Sequence, residues 1–112
     1  MLDAFCLHAY DGREEGLSYE HKLLGDFWSA DDYWGFMNTF KYDGSKVVLD
    51  KYTIVEPSRT RLVYNWLQYY SLEALARELE HNGLRIVERY ADVAASALVD
   101  ESDTIAVVAE RI

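Results

Sequence analysis

The chain has 112 residues, enough for one small domain whose core has little to spare. Half of them are hydrophobic and 28% are charged, an ordinary globular balance that argues against disorder. Eleven basic against 20 acidic residues leave a net charge of −9, so phosphate backbones and anionic lipid are repelled and neither nucleic-acid nor membrane partners are expected.

In chain order, Leu2-Asp3-Ala4-Phe5-Cys6-Leu7-His8 is an apolar run of strand length, and residues 1–10 are assigned to a first sheet strand. Cys6 is the only cysteine, which excludes an internal disulfide and suits a reducing compartment. In an apolar run it reads as a buried, inert thiol. No cationic start precedes an apolar stretch, and no apolar segment nears the ~20 residues that cross a bilayer. A soluble, cytoplasmic protein is expected.

Residues 11–32 form a polar loop with Gly12, Gly16 and Gly25 and the acids Glu14, Glu15, Asp31 and Asp32. Within it, Tyr19-Glu20-His21-Lys22-Leu23-Leu24 fits a short helix and a short strand equally well. Residues 33–70 change character. From Phe27 to Tyr70 lie twelve of the sixteen aromatic residues, in three strand-like runs joined by turn signals at Asp43-Gly44 and Pro57-Ser58. Two-residue turns there predict a three-stranded antiparallel meander. Phe36 then lies beside Lys51 and Tyr64, Asn38 beside Leu49 and Trp66, Trp34 beside Thr53, and Gln68 beside Phe40. On the other face Met37 lies beside Asp50 and Asn65, the last two as a structural hydrogen-bonded pair.

Rings with a few polar groups are the usual composition of a ligand site, so Trp34, Phe36, Asn38, Lys51, Tyr64, Trp66 and Gln68 are the candidate substrate-binding residues. Cross-strand packing inside a core explains the same rings with no ligand. Both readings stand at this point.

Ser71 is a good helix N-cap, Glu73 meets the positive end of the dipole, and Leu72, Leu75, Ala76 and Leu79 share one stripe that Gly83 ends. Residues 84–90 alternate as a strand, residues 91–103 form a loop, and residues 104–110 are a buried closing strand. Residues 71–112 are thus a helix plus two closing strands of an α+β fold. The acidic runs at 13–15 and 100–103 read as solvated loops. His8 is the acid–base candidate by residue type, with Tyr10 beside it; the alternative is a strand-end histidine that is hydrogen-bonded or wet. His8, His21 and His81 lack the spacing of a metal site, and none is expected.

The order of these pieces resembles the C-terminal part of class I S-adenosylmethionine-dependent methyltransferases. The helix ending Glu80-His81-Asn82-Gly83, the strand 84–90, Asp92-Val93-Ala94 and the Ser102-Asp103-Thr104-Ile105-Ala106-Val107-Val108-Ala109 close carry it. Asp26-Phe27-Trp28-Ser29, Asn38-Thr39-Phe40-Lys41-Tyr42 and Arg61-Leu62-Val63-Tyr64-Asn65-Trp66-Leu67-Gln68-Tyr69 look like the substrate-side β-meander insertion of one bacterial subgroup. The resemblance implies that residues 2–8, 84–90 and 104–110 are the last strands of a Rossmann-like sheet, the final one antiparallel and slotted between the other two. It also places His8 and Tyr10 at the carboxyl end of a strand, where such sheets bind ligands.

The family's Gly-rich cofactor loop is missing from this sequence, as is the acidic residue that would hold the cofactor ribose. No cofactor-binding residue is carried over, and the chain alone is expected to be inactive. Three functions follow: a truncated methyltransferase-like part whose cofactor half is lost or supplied by a partner chain; a module that binds a small apolar or amphipathic molecule on the meander; or a non-catalytic remnant that oligomerises. An unpaired edge at residues 2–8 predicts a homodimer or higher oligomer.

Overall fold

The computed structural model describes all 112 residues. The chain is a mixed α+β protein with seven strands and two helices: β1 (Leu2–Cys6), α1 (Leu7–Asp11), β2 (Gly16–His21), β3 (Trp34–Tyr42), β4 (Val47–Val55), β5 (Thr60–Tyr70), α2 (Leu72–His81), β6 (Leu84–Tyr90) and β7 (Thr104–Arg111). Two compact units form, one from Met1–Arg13 with Gln68–Ile112 and the other from Glu14–Leu67.

In the first unit, β7 lies between β1 and β6 and runs antiparallel to both, with Asp3 opposite Ala106 and Ile86 opposite Ala109. This is the order anticipated for these three segments. The end of β5 pairs with β1 in parallel at Phe5–Tyr69 and Cys6–Tyr70, so β1 lies between two strands and the unpaired edge expected over residues 2–8 is closed by β5 at Phe5 and Cys6. Helix α2 starts where its cap requires, since Ser71 Oγ accepts the Ala74 amide at 3.0 Å. Leu75 and Leu79, one turn apart, are buried in a cluster with Cys6, Ile105 and Val107. Each such side chain contributes about 2 kcal/mol of apolar burial. Gly83 follows at φ +78, the left-handed position that glycine occupies without strain.

The strand predicted over residues 2–8 stops at Cys6, whose amide donates to the Asp103 carbonyl at 2.9 Å. The chain then turns through the short helix α1, so His8 and Tyr10 are not at a strand end. A strand would aim these two side chains, two residues apart, at the same face. The helical turn separates them, burying Tyr10 and leaving His8 exposed.

In the second unit, β2, β3, β4 and β5 are neighbours in that order. The meander therefore has a fourth strand within the segment read as a polar loop, and over Tyr19–His21 the strand is the outcome of the choice left open between short helix and short strand. Every residue of β2 is exposed, as befits an edge strand. The β3–β4 turn is longer than the two residues predicted: Tyr42 opposes Val47, residues 43–46 make the turn, and Lys46 adopts φ +56. The register consequently slides by two. Asn38 faces Lys51 instead of Leu49, and Phe36 faces Thr53 instead of Lys51. A slide of two leaves every side chain on its predicted face, because the pleat has a period of two. The second turn is closed across Pro57-Ser58 by the Glu56 amide on the Arg59 carbonyl at 2.8 Å.

One face of this meander is the unit's core. Gly35, Thr39, Val48, Asp50 and Ile54 are buried on it. Residues 22–33 cover that face. Tyr33 is buried and donates its hydroxyl to the Leu23 carbonyl at 2.6 Å, and Trp28 packs on Tyr52 at a centroid distance of 4.8 Å. The slide also brings Thr39 opposite Asp50, in the place predicted for Met37, and Thr39 Oγ1 donates to Asp50 Oδ1 at 2.8 Å. Glu56 ties the covering segment to the second turn. It accepts from Arg61 Nε at 2.7 Å, from Arg59 Nε at 3.2 Å and from Ser29 Oγ at 3.2 Å. Burial pushes the Glu56 carboxyl up, but the bonds from Arg61 and Ser29 and the charges of Arg59 and Arg61 outweigh it and hold it below the usual carboxylate range.

Candidate functional site

Alternate residues of a strand share a face, so Trp34, Phe36, Asn38, Phe40 and Tyr42 of β3 lie together on the side opposite the core. The ladder to β2 places Leu17 beside Asn38, Tyr19 beside Phe36 and His21 beside Trp34. The ladder to β4 adds Leu49, Lys51 and Thr53. Along β5 the contacts of Tyr64 with Lys51 and of Trp66 with Tyr42 place these two rings, and Leu62 with them, on the same side. Six of the seven predicted substrate-side residues are thereby gathered on one face: Trp34, Phe36, Asn38, Lys51, Tyr64 and Trp66.

That face is open to water. Trp34 is 46% exposed and Trp66 59%, with Leu17, Tyr19, Phe40, Tyr42, Leu62 and Tyr64 similarly accessible. The reading of these rings as a core wall is therefore overturned, because the core is on the other side of the same strands. The rings pair across strands: Tyr19 stacks on Phe36 at 5.7 Å and 28°, Tyr42 lies against Trp66 at 5.8 Å and 36°, and His21 lies against Trp34 at 5.2 Å. Lys51 Nζ sits 5.9 Å from the centroid of Tyr64, a cation–π distance. None of the strand positions on this face is a carboxylate, and Asp32 reaches its margin to pair with His21 Nε2. Gln68 belongs to the first unit, where it lines a hollow of about 300 Å³ with Asp3, Phe5, Tyr70 and Thr104.

His8 and Tyr10 take different roles in the first unit. Tyr10 packs edge-on against Tyr69 at 5.6 Å and 67°, and Arg13 donates to the Tyr69 hydroxyl at 3.2 Å. Tyr10 is thus a core residue. His8 lies on the rim of a hollow of about 370 Å³, with Cys6, Tyr70, Ser71, Leu98 and Asp100 among its walls. The hollow opens at the carboxyl ends of the parallel pair β1 and β5 and at the start of α2. His8 Nδ1 is 2.8 Å from Asp103 Oδ1. A carboxylate on Nδ1 orients an imidazole and leaves Nε2 available for proton transfer. The His8 side chain is 49% exposed and that of Asp103 70%, so the pair stands open to solvent at the rim.

Asp103 was missed at the sequence level because an acidic run at 100–103 reads as solvated; only the pairing of β1 with β7 shows that His8 lies beside it. The Cys6 thiol donates to the Ser102 carbonyl on the same wall. The adjoining loop is held by Asp92, whose Oδ1 accepts the amides of Ala94 at 3.0 Å and Ser96 at 3.1 Å. These bonds, that from Ser96 foremost, hold the Asp92 carboxyl below its ordinary value.

No protein family's sequence profile matches the chain, and no curated protein sequence matches it. The fold is similar to that of the CcbJ methyltransferase from Streptomyces caelestis, with a TM-score of 0.63 at 14% sequence identity. The match covers 98% of this chain and 44% of that one, so the chain spans less than half the length of that protein. The likeness shows a methyltransferase-like fold. No helix is long and apolar enough to cross a membrane.

Proposed function

We propose that this chain is the substrate-side and sheet-closing portion of a class I methyltransferase-like unit, inactive alone and dependent on other residues for S-adenosylmethionine. The observation that carries the reading is the match of nearly the whole chain to less than half of a methyltransferase. The order β1-β7-β6 with an antiparallel β7 is what such a closing portion requires. In this reading the hollow beside His8 faces the methyl acceptor, and His8, oriented by Asp103, accepts a proton from it.

The residues present do not fit S-adenosylmethionine. Both helices that follow a strand directly, α1 and α2, are entered through side chains, Cys6-Leu7 and Tyr70-Ser71, with no glycine to let a nucleotide approach the backbone. No methyl-transfer step is therefore assigned to this chain alone. A partner chain that carries the cofactor site completes the unit in this proposal.

Calorimetry on the purified 112 residues checks the cofactor half of the reading: no heat of S-adenosylmethionine binding is expected, and micromolar binding would refute it. Photo-crosslinking of the natively purified complex with radiolabelled S-adenosylmethionine checks the other half. Label is expected on a partner polypeptide. A natively purified preparation that takes up no label at all sinks the methyltransferase-like assignment.

A further inference from the structure

We infer that the exposed aromatic face of the meander is a dimer interface that packs against the same face of a second copy of this chain. This goes beyond the proposed function, which places the methyl acceptor at the hollow beside His8 in the first unit and gives the exposed face of the meander no partner. Three observations select the second copy as occupant.

The first is area. Eight large side chains on this face are roughly half exposed. At ~200 Å² for a fully exposed aromatic side chain, they offer on the order of 800 Å², the contribution of each partner to a standard-size interface. Solitary domains rarely leave a contiguous apolar patch of that size to water.

The second is charge. A chain of net charge −9 repels a copy of itself over most of its surface. This face is the exception, since no strand position on it is a carboxylate and Asp32, which reaches its β2 margin, is paired with His21. Its cation, Lys51, already lies over the Tyr64 ring and has a long apolar stem with which to reach the rim. Depletion of charge with enrichment in Tyr, Trp and Phe is the composition of an interface core. A nucleic acid would meet too little positive charge here, and a basic partner would meet only Asp32, already paired with His21 at the margin.

The third is ring geometry. Tyr19 with Phe36 and Tyr42 with Trp66 are already turned toward one another, so much of their ring faces is used across strands and edges point outward. A flat platform for a sugar ring or a base needs free ring faces. Outward edges instead suit a second set of rings that interdigitates edge to face, as in the packing of two sheets about 10 Å apart. A two-fold axis makes the two faces self-complementary by construction.

Sedimentation equilibrium of the full chain tests the inference. At about 50 μM, a concentration at which a standard-size interface is expected to be filled, the mass should be twice that of one chain. Trp66→Glu and Tyr64→Glu should each weaken dimerisation at least ~30-fold, the size of a hot-spot loss. Leu62→Lys, which breaks no ring pair, serves as a second face variant, and circular dichroism confirms that the fold is kept. Leu2→Arg at the β1 edge should leave the mass doubled, which separates this interface from any assembly through that edge. Acrylamide should quench Trp34 and Trp66 more strongly as the wild-type dimer is diluted. A single-chain mass at every concentration overturns the inference. So does a dimer that survives the folded face variants, or one that Leu2→Arg abolishes.

Discussion

Gly35 is where the second unit has no room, and Gly35→Ala measures how tightly residues 22–33 are clamped onto the meander. A methyl group built on Gly35 comes within 3.0 Å of Leu23 Cδ2 and 3.3 Å of Cγ, and nearer still to Leu23 Cβ. A leucine tip can swing away, but a Cβ moves only with its backbone. That backbone has little slack, since Lys22 and Leu24 on either side hold φ values of +52 and +63 and Tyr33 bonds the Leu23 carbonyl. Overpacking of this kind costs ~3 kcal/mol, while replacing a strand glycine by alanine returns ~0.5–1 kcal/mol of chain entropy. The net expectation is a loss of about 2 kcal/mol, or roughly 8 °C in Tm for a domain of this size. Urea titration followed by circular dichroism reads the first number and thermal scanning the second. Leu23→Gly removes the offending Cβ, so the double variant should recover at least ~1 kcal/mol relative to the sum of the single changes. A neutral Gly35→Ala, or strict additivity with Leu23→Gly, would refute this account of the packing.

Two further outcomes are expected. Ser71→Ala removes the side-chain acceptor of the Ala74 amide and should cost about 1 kcal/mol in urea melts, most of which Ser71→Asp restores. Glu56 and Asp92 are both held below their ordinary values of 4.5 and 3.8, so the native state binds fewer protons there than the unfolded chain does. Their contribution to stability is complete above those values and is lost as pH falls through the depressed native ones. Denaturation midpoints should therefore be level from pH 5 upward with respect to these two groups and drop below ~4.5, and Glu56→Gln should flatten that drop. A Glu56→Gln profile parallel to wild type between pH 3 and 5 contradicts the assigned contacts.

What the sequence made legible followed from periodicity and capping. The helix over 72–81 had a cap, a stripe and a stop in agreement, and the strands over 84–90 and 104–111 alternated or ran apolar over strand length. The meander's faces were also readable, because the register error was an even number and left Phe36, Asn38 and Lys51 together. Which face was buried was not readable. Both faces carry rings, and the decision rests with residues 22–33, whose positive-φ turns at Lys22 and Leu24 have no signature in residues of that type. Strand β2 was obscured for a related reason. Leu17, Tyr19 and His21 alternate correctly, but no partner strand could be assigned to them without knowing the path of the segment that follows. His8, expected at a strand end, lies instead in α1 beside the hollow. The Asp103 contact is set by a β1–β7 pairing across nearly a hundred residues, which local pattern does not report.

Backbone likeness and site chemistry carry different weight. At 14% identity, a shared fold fixes where strands end and where a hollow opens, and fixes little about which side chains stand there. The hollow beside His8 has an oriented imidazole, an apolar wall from Leu7, Leu72 and Leu98, and Asp100 as its acidic member. Under the proposed function this set faces the methyl acceptor, and His8 accepts its proton. Both helices that follow strands directly begin at side chains rather than at a glycine turn, so a sulfonium nucleotide has no cradle there. Under the proposed function the methyl donor is held by other residues, because a proton acceptor at this hollow serves methyl transfer only when a donor lies within reach of it.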